Sequence, residues 1–293
     1  MRLFPLLFLI SLINYPYQIA NAKEKISIFQ FDQVISHFDG NNNDKDDIAA
    51  LPIAATLINS MGLQKQSSFF YNNNLGEPND SSQVEAMRES AAFAEKLGIN
   101  TYDYQKSTHK TTNKLVKILN SGKKVLAIEG GPMEAIYRGL EKTSPRNRSN
   151  ITLISHSTWN ETRDVASKTG VKEVRTWDDI KKDFPEVKLI HIKDQNGADN
   201  EGDDGFYSSK WRWLDDTDNP ILKKARSLMK NAQGKVNDPS DAGMHFYLIT
   251  GIEDADPENA QRFFTRHPPK ISFLPRFLVK TVTRLLNHGI LAK

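Results

Sequence analysis

The strongest constraint on the fold of this 293-residue chain is a repeated alternation. Short runs rich in β-branched and aromatic residues are separated by longer stretches with helical spacing. The runs at 26–31, 34–38, 67–71, 124–128, 151–155 and 188–192 read as strands, and 48–61, 82–96, 114–120, 133–140 and 177–184 read as helices. Strands that recur with a helix between them must run parallel, because the crossover returns each strand to the same edge. The expected fold is therefore α/β, a mostly parallel open sheet with helices on both faces. The stretch 48–61 holds Ile48, Leu51, Ile53, Leu57, Ile58 and Met61, so it reads as a helix packed beneath the sheet. Pro52 is expected to sit near its first turn. The polar, glycine-containing stretch 197–220 reads as a loop, and the C-terminal part as loop-rich.

The N-terminus has Arg2, an apolar run over residues 3–13 and the small-x-small tripeptide Ala20-Asn21-Ala22. That pattern predicts a cleaved export signal over 1–22, leaving one domain over 23–293 in a periplasmic or secreted location. The run is too short to span a bilayer comfortably, and no later one approaches the required length, so stable membrane insertion is not expected. The stretch 276–287 mixes apolar residues with Arg276, Lys280 and Arg284 and reads as a helix closing over the domain. With 39 Lys+Arg against 36 Asp+Glu, charge offers no argument for nucleic acid. The absence of cysteine excludes disulfides, thiolate metal sites and a thiol nucleophile.

The most informative segment is Asp39-Gly40-Asn41-Asn42-Asn43-Asp44-Lys45-Asp46-Asp47, between a strand and the apolar helix. Four carboxylates and three amides in nine residues offer oxygen donors suited to calcium or magnesium. The plainer role for Asp46 and Asp47 is to favour the positive end of the following helix. An EF-hand loop is excluded, since Asp44 and Ala50 stand where its glycine and glutamate are needed. A haloacid-dehalogenase-like phosphatase would need an aspartate nucleophile at position 37, which is histidine.

This cluster, ending in Asp46-Asp47 just before a buried helix, resembles the nucleoside hydrolase family, whose first strand is followed by an Asp-x-Asp-x-Gly-x-Asp-Asp loop. Further segments extend the resemblance in chain order: Asn72-Asn73-Asn74 after a strand, Glu129-Gly130-Gly131-Pro132, His156-Ser157-Thr158-Trp159-Asn160-Glu161, and Asp238-Pro239-Ser240-Asp241. The resemblance implies Ca²⁺ held by Asp39, Asp47, Asp241 and the backbone carbonyl of Glu129. Asp39 would also activate water, with Asp44 and Asn42 as substitutes if the loop gap lies elsewhere. Asp46, Asn160, Glu161 and either Asn73 or Asn74 would bind the sugar. The implied activity is hydrolysis of the N-glycosidic bond of a nucleoside or related riboside, on a scaffold compatible with a homo-oligomer.

Two departures stand out. The first loop is about three residues longer than usual, and Ser240 occupies the place of a histidine proposed to protonate the leaving base. That role would pass to His156, to His245, or to no residue. Trp159, Trp211 and Trp213 are candidates to stack on a base or to anchor the core. Asp194-Gln195-Asn196-Gly197 is a polar turn that could line a pocket. Because of Ser240, a non-catalytic sugar- or nucleoside-binding protein on the same scaffold is the alternative reading.

Overall fold

A computed structural model describes residues 26–40, 45–75, 81–162, 175–197 and 205–270. The expected export signal, the loop residues Asn42 and Asp44 and the 276–287 stretch lie outside them. Six strands form one sheet: β1 (Gln33–Phe38), β2 (Ser67–Tyr71), β3 (Asn100–Asp103), β4 (Val125–Gly130), β5 (Ile151–Ser155) and β6 (Lys188–His191). They lie in the order β3-β2-β1-β4-β5-β6, and every pairing is parallel. The chain builds outward from β1 on one side, then crosses back to place β4 on the other.

Side chains alternate between two buried faces, as a strand's period of two requires. Val34, Phe38, Phe69, Leu126 and Ile128 enter one core, whereas Ile35, Phe70, Val125, Ala127 and Leu153 enter the other. Burial on both faces explains why these strands read as continuous apolar runs. Helices α1 (Asp46–Ser60) and α2 (Ser81–Lys96) cover the first face, and α3 (Thr108–Leu119) and α4 (Glu134–Glu141) the second. After the short helices α5 (Pro145–Arg148) and α6 (Thr158–Thr162), α7 (Trp177–Asp183) joins the second face through Ile180.

Helix α1 is buried without a break from Asp47 to Asn59. Pro52 lies in its second turn rather than its first, where its missing N–H should leave the Ile48 carbonyl unpaired. Ser90 of α2 solves this locally: its hydroxyl donates to Ile48 O at 3.1 Å.

Three expectations need correction. Residues 26–31 form no strand; they contain a 3₁₀ turn, Ile28–Gln30, with the Gln30 carboxamide accepting from Ser27 N–H at 3.1 Å. Ladder bonding begins only where Asp32 and Gln33 donate to Lys124 O. The edge strand β3 was not expected, because Asn100-Thr101-Tyr102-Asp103 lacks an apolar run. Finally, the described C-terminal part, 205–270, holds more helix than expected between its loops. It contains the 3₁₀ segment Ser209–Asp215 and helices α8 (Pro220–Met229), α9 (Asp241–Thr250) and α10 (Pro257–Arg266). Both α8 and α10 start with a side-chain cap, Asn219 or Asp256, followed by proline.

Candidate functional site

The divergence of connections on either side of β1 leaves a crevice at the carboxyl ends of β1 and β4, where ligands bind in open parallel sheets. Asp39 follows β1 directly. Its N–H groups with both sides of the crevice: it donates to Gly130 O at 3.2 Å, and to the Asp47 Oδ2 atom. Asp47 stands in the first turn of α1, where the helix dipole favours a negative charge. Asp46 Oδ1 accepts the Asp47 N–H at 2.9 Å.

Asp241 arrives from the far end of the chain, in the first turn of α9. A Cβ built on Gly130 would stand 2.9 Å from the Asp241 carboxyl carbon, and one on Gly131 would stand 2.8 Å from Asp39 Cβ. The two glycines that end and follow β4 thus leave the room in which these acids approach. Burial first, then the charges of Asp241, Asp39 and Asp46, pushes the Asp47 carboxyl well above the ordinary carboxylate range. Asp47 Oδ1 is buried without a hydrogen-bond partner.

The second strand adds amides. Asn72 takes a left-handed conformation at φ 55°, which asparagine tolerates, and donates to Asp103 Oδ1 at 3.1 Å. The turn brings Asn73 over the end of β1, where its N–H donates to Phe38 O at 3.3 Å. Its carboxamide is fully buried, and neither its oxygen nor its nitrogen has a partner. A Cβ on Gly131 would lie 3.0 Å from Asn73 Oδ1, so this amide adjoins Asp39. Asn74 is equally buried.

Beside these groups opens a cleft of about 380 Å³ whose walls include Asp46, His156, Trp159, Asn160, Asp194 and Asp241. His156, one residue past β5, is clasped between two acids: Nε2 lies 3.0 Å from Asp241 Oδ1 and Nδ1 lies 3.2 Å from Asp194 Oδ1. Burial pulls its pKa down, but hydrogen bonds to Asp194 and Asp241 override it and raise the value to about 9. Asp194 is opposed by burial in the same way, yet bonds from His156 and Asn196 hold it at about 2. Each group thus favours the charged form of the other, and Gln195 N–H also approaches His156 Nδ1, at 3.1 Å.

The structure therefore brings together Asp39, Asp47, Asp241 and Asn73, and next to them Asp46, His156, Trp159 and Asn160. It does not bring His245 to the cleft. One helical turn beyond Asp241, its ring lies under the sheet, bonded through Nε2 to Ser36 Oγ at 2.8 Å and stacked on Phe38. Burial lowers its pKa to about 4, so it is a neutral core histidine. Glu161 also turns aside, to His191 Nδ1 at 2.7 Å. The Glu129 side chain points to the opposite face of the sheet, where it meets His37 at 2.9 Å; only its backbone belongs to the crevice rim. His37 at the phosphatase nucleophile position is buried in that same pair and offers no nucleophile. Trp211 is a core anchor, and Trp213 packs partly buried against the same core. Trp159 is 43 % exposed at the cleft.

Tyr207 and Lys235 also line the cleft, with the lysine ammonium 4.9 Å from the tyrosine ring centre and 3.1 Å from Asp238 Oδ2. Neither was expected, because no local pattern marks an isolated tyrosine or lysine in a polar stretch.

Chemically, the crevice presents oxygen donors in excess negative charge, the preference of hard divalent cations. Among the described residues, no three His, Asp or Glu side chains are already set as a metal-ligand shell. The buried, unpartnered Asp47 Oδ1 and the mutual approach of three acids are nevertheless the features a bound cation would compensate. Among the described residues no helix is long and apolar enough to cross a membrane. Comparisons with protein-family models and with curated proteins find no match.

Proposed function

We propose that this protein is an exported, calcium-dependent hydrolase that cleaves the N-glycosidic bond of a nucleoside or related riboside, a divergent relative of the nucleoside hydrolases. One observation carries the reading: Asp39, Asp47 and Asp241, from opposite ends of the chain, converge in a buried crevice beside a carboxamide with two unmet hydrogen-bonding atoms. The three carboxylates, with the Glu129 carbonyl, would hold Ca²⁺. The ion supplies charge to orient water and sugar hydroxyls.

The rest falls to the chain's own groups. Cleavage passes through an oxocarbenium-like transition state, which needs a water on one side of the sugar carbon and a stabilised leaving group on the other. Asp39 accepts the water's proton. Asn73 offers an unpartnered carbonyl oxygen and amide to ribose hydroxyls, with Asn74 and Asp46 beside it. Trp159 packs on the leaving group and Asn160 bonds to it or to the sugar. His156 is the one histidine of the two candidates that reaches the cleft, and its two acid partners favour its protonated form.

The deciding assay measures reducing sugar released from a panel of nucleosides, with and without chelator, for the native protein and Asp47→Ala. The expected result is release that chelator and substitution each abolish; release indifferent to both removes the metal from the mechanism. A second reading, a nucleoside- or sugar-binding protein without turnover, is favoured by Ser240, whose buried hydroxyl has no partner where the family places a histidine. Calorimetric binding with no product would select it.

A further inference from the structure

His37 and Glu129 stand inside buried strands, and neither side chain takes part in the chemistry above. They are register partners across β1 and β4. Both side chains are fully buried, joined by His37 Nδ1 and Glu129 Oε1 at 2.9 Å. The surrounding surface is aromatic: the His37 ring lies 5.3 Å from Phe70 and 6.2 Å from Tyr104 between ring centres. Three buried polar atoms in this group lack partners, His37 Nε2, Glu129 Oε2 and the Tyr104 hydroxyl.

A buried pair of this kind is a poor source of stability. Taking both groups out of water costs more than one short contact returns unless the remaining lone pairs and protons are satisfied, and here they are not. Apolar side chains of equal volume would serve the core better. What the pair does have is position. It is the last side-chain rung between β1 and β4 before Asp39 donates to Gly130 O and the two strands part around the crevice. Two residues beyond His37 comes Asp39, and immediately after Glu129 come the two glycines against which Asp241, Asp39 and Asn73 are set.

We propose that the His37–Glu129 pair, with Tyr104 packed against it, is a positioning device that fixes the ends of β1 and β4 relative to each other from the face opposite the site. A directional bond of fixed length between the two strands holds the crevice walls in a way that interchangeable apolar contacts do not. His37 and Glu129 are positioning residues in this role, acting through the backbone of Asp39, Gly130 and Gly131. The consequence for metal affinity rests on the calcium reading above; the consequence for the strand ends does not.

The test replaces both partners together in the full chain, His37→Phe with Glu129→Met, because removing one alone would strand the other in the core. Hydrogen exchange is followed in chelator at the backbone amides of residues 39–40 and 130–131, with β5 and β6 as the internal reference. The expected result is exchange at least tenfold faster at those four amides, with the reference strands and the melting temperature little changed. Calcium affinity, measured with a competing chelating dye, is expected to fall at least fivefold. Should the double variant fail to fold by circular dichroism, His37→Leu with Glu129→Leu, which also removes the bond but takes less volume, is read in the same way. Unchanged exchange at the four amides, or a rise spread evenly over the sheet, overturns the inference. A native protein that binds no calcium overturns the calcium reading alone, since the exchange result stands apart from it.

Discussion

Asp47 is asked to meet two opposed demands. Its position in the first turn of α1 and the bond it accepts from Asp39 N–H favour the carboxylate, yet burial and three neighbouring acids disfavour it more strongly. Without a cation the charge is a liability to the fold. Asp47→Asn keeps the shape and the acceptor oxygen while removing that charge, so in chelator the variant is expected to melt higher than the native protein. A gain of about 1 kcal/mol corresponds to roughly 2–4 °C in a domain of this size. The same variant is expected to lose the rise in melting temperature that calcium gives the native protein. A lower melting point together with an intact calcium response would count against the site. Gly131 supplies the complementary test. Its substitution by alanine would put a Cβ 2.8 Å from Asp39 Cβ and 3.0 Å from Asn73 Oδ1, so both must move. The expected cost is about 1–3 kcal/mol in stability from overpacking, with nucleoside turnover, if present, falling at least tenfold.

Among elements, α1 shows how sequence and neighbours share the work. Its apolar run makes it a helix buried on all sides, but Pro52 breaks the backbone ladder in a place where no water can repair it. The repair comes from Ser90, 38 positions along the chain, through its bond to Ile48 O. Ser90→Ala leaves that buried carbonyl unpaired and is expected to cost about 1–3 kcal/mol, read as a lower midpoint in urea with an unchanged slope. A cost below a few tenths of a kcal/mol would mean that the carbonyl finds another donor. The residue pattern makes α1, β2 and β5 legible because each carries a compact group of apolar, aromatic or β-branched residues, whereas β3 is a polar edge strand whose role comes only from pairing with β2. The starts of α8 and α10 are written in Asn219-Pro220 and Asp256-Pro257, a cap followed by proline, but the helices behind them interleave basic and polar residues with the apolar ones. The approach of Asp39, Asp47 and Asp241 could be anticipated from the acidic motifs and their order. Which histidine faces the cleft could not. His245 shares a helix with Asp241, but one turn carries it beneath the sheet, while His156 is distant in sequence and bonded to Asp241.

At the scale of the whole molecule, the buried histidine between two acids ties stability to pH. The folded pKa of His156 is raised to about 9, above the ordinary histidine value of about 6.5. Its contribution is therefore fully present below about pH 6.5, and it is lost as pH rises toward 9, because over that interval the folded protein holds a proton that the unfolded chain has released. Asp47, also raised, acts with the same sign. Asp194, lowered to about 2, stays ionised in both states across this interval and adds no slope. His245, lowered to about 4, is neutral in both states above about pH 7 and adds none there. In chelator, then, melting temperature should fall between pH 7 and 9, by an amount bounded by roughly 3 kcal/mol from His156 at about 1.4 kcal/mol per unit of pKa. His156→Gln should flatten most of this decline. Calcium should act against it: a ligand present at about a hundredfold its dissociation constant stabilises by about 2.7 kcal/mol. Deprotonated carboxylates bind a cation better, so its effect should be larger at pH 8 than at pH 6. Melting curves in chelator and in calcium, at both pH values and for both proteins, separate the contributions. A decline that survives in His156→Gln would place the titrating group elsewhere. A calcium effect that shrinks as pH rises would mean that the ion does not meet these acids.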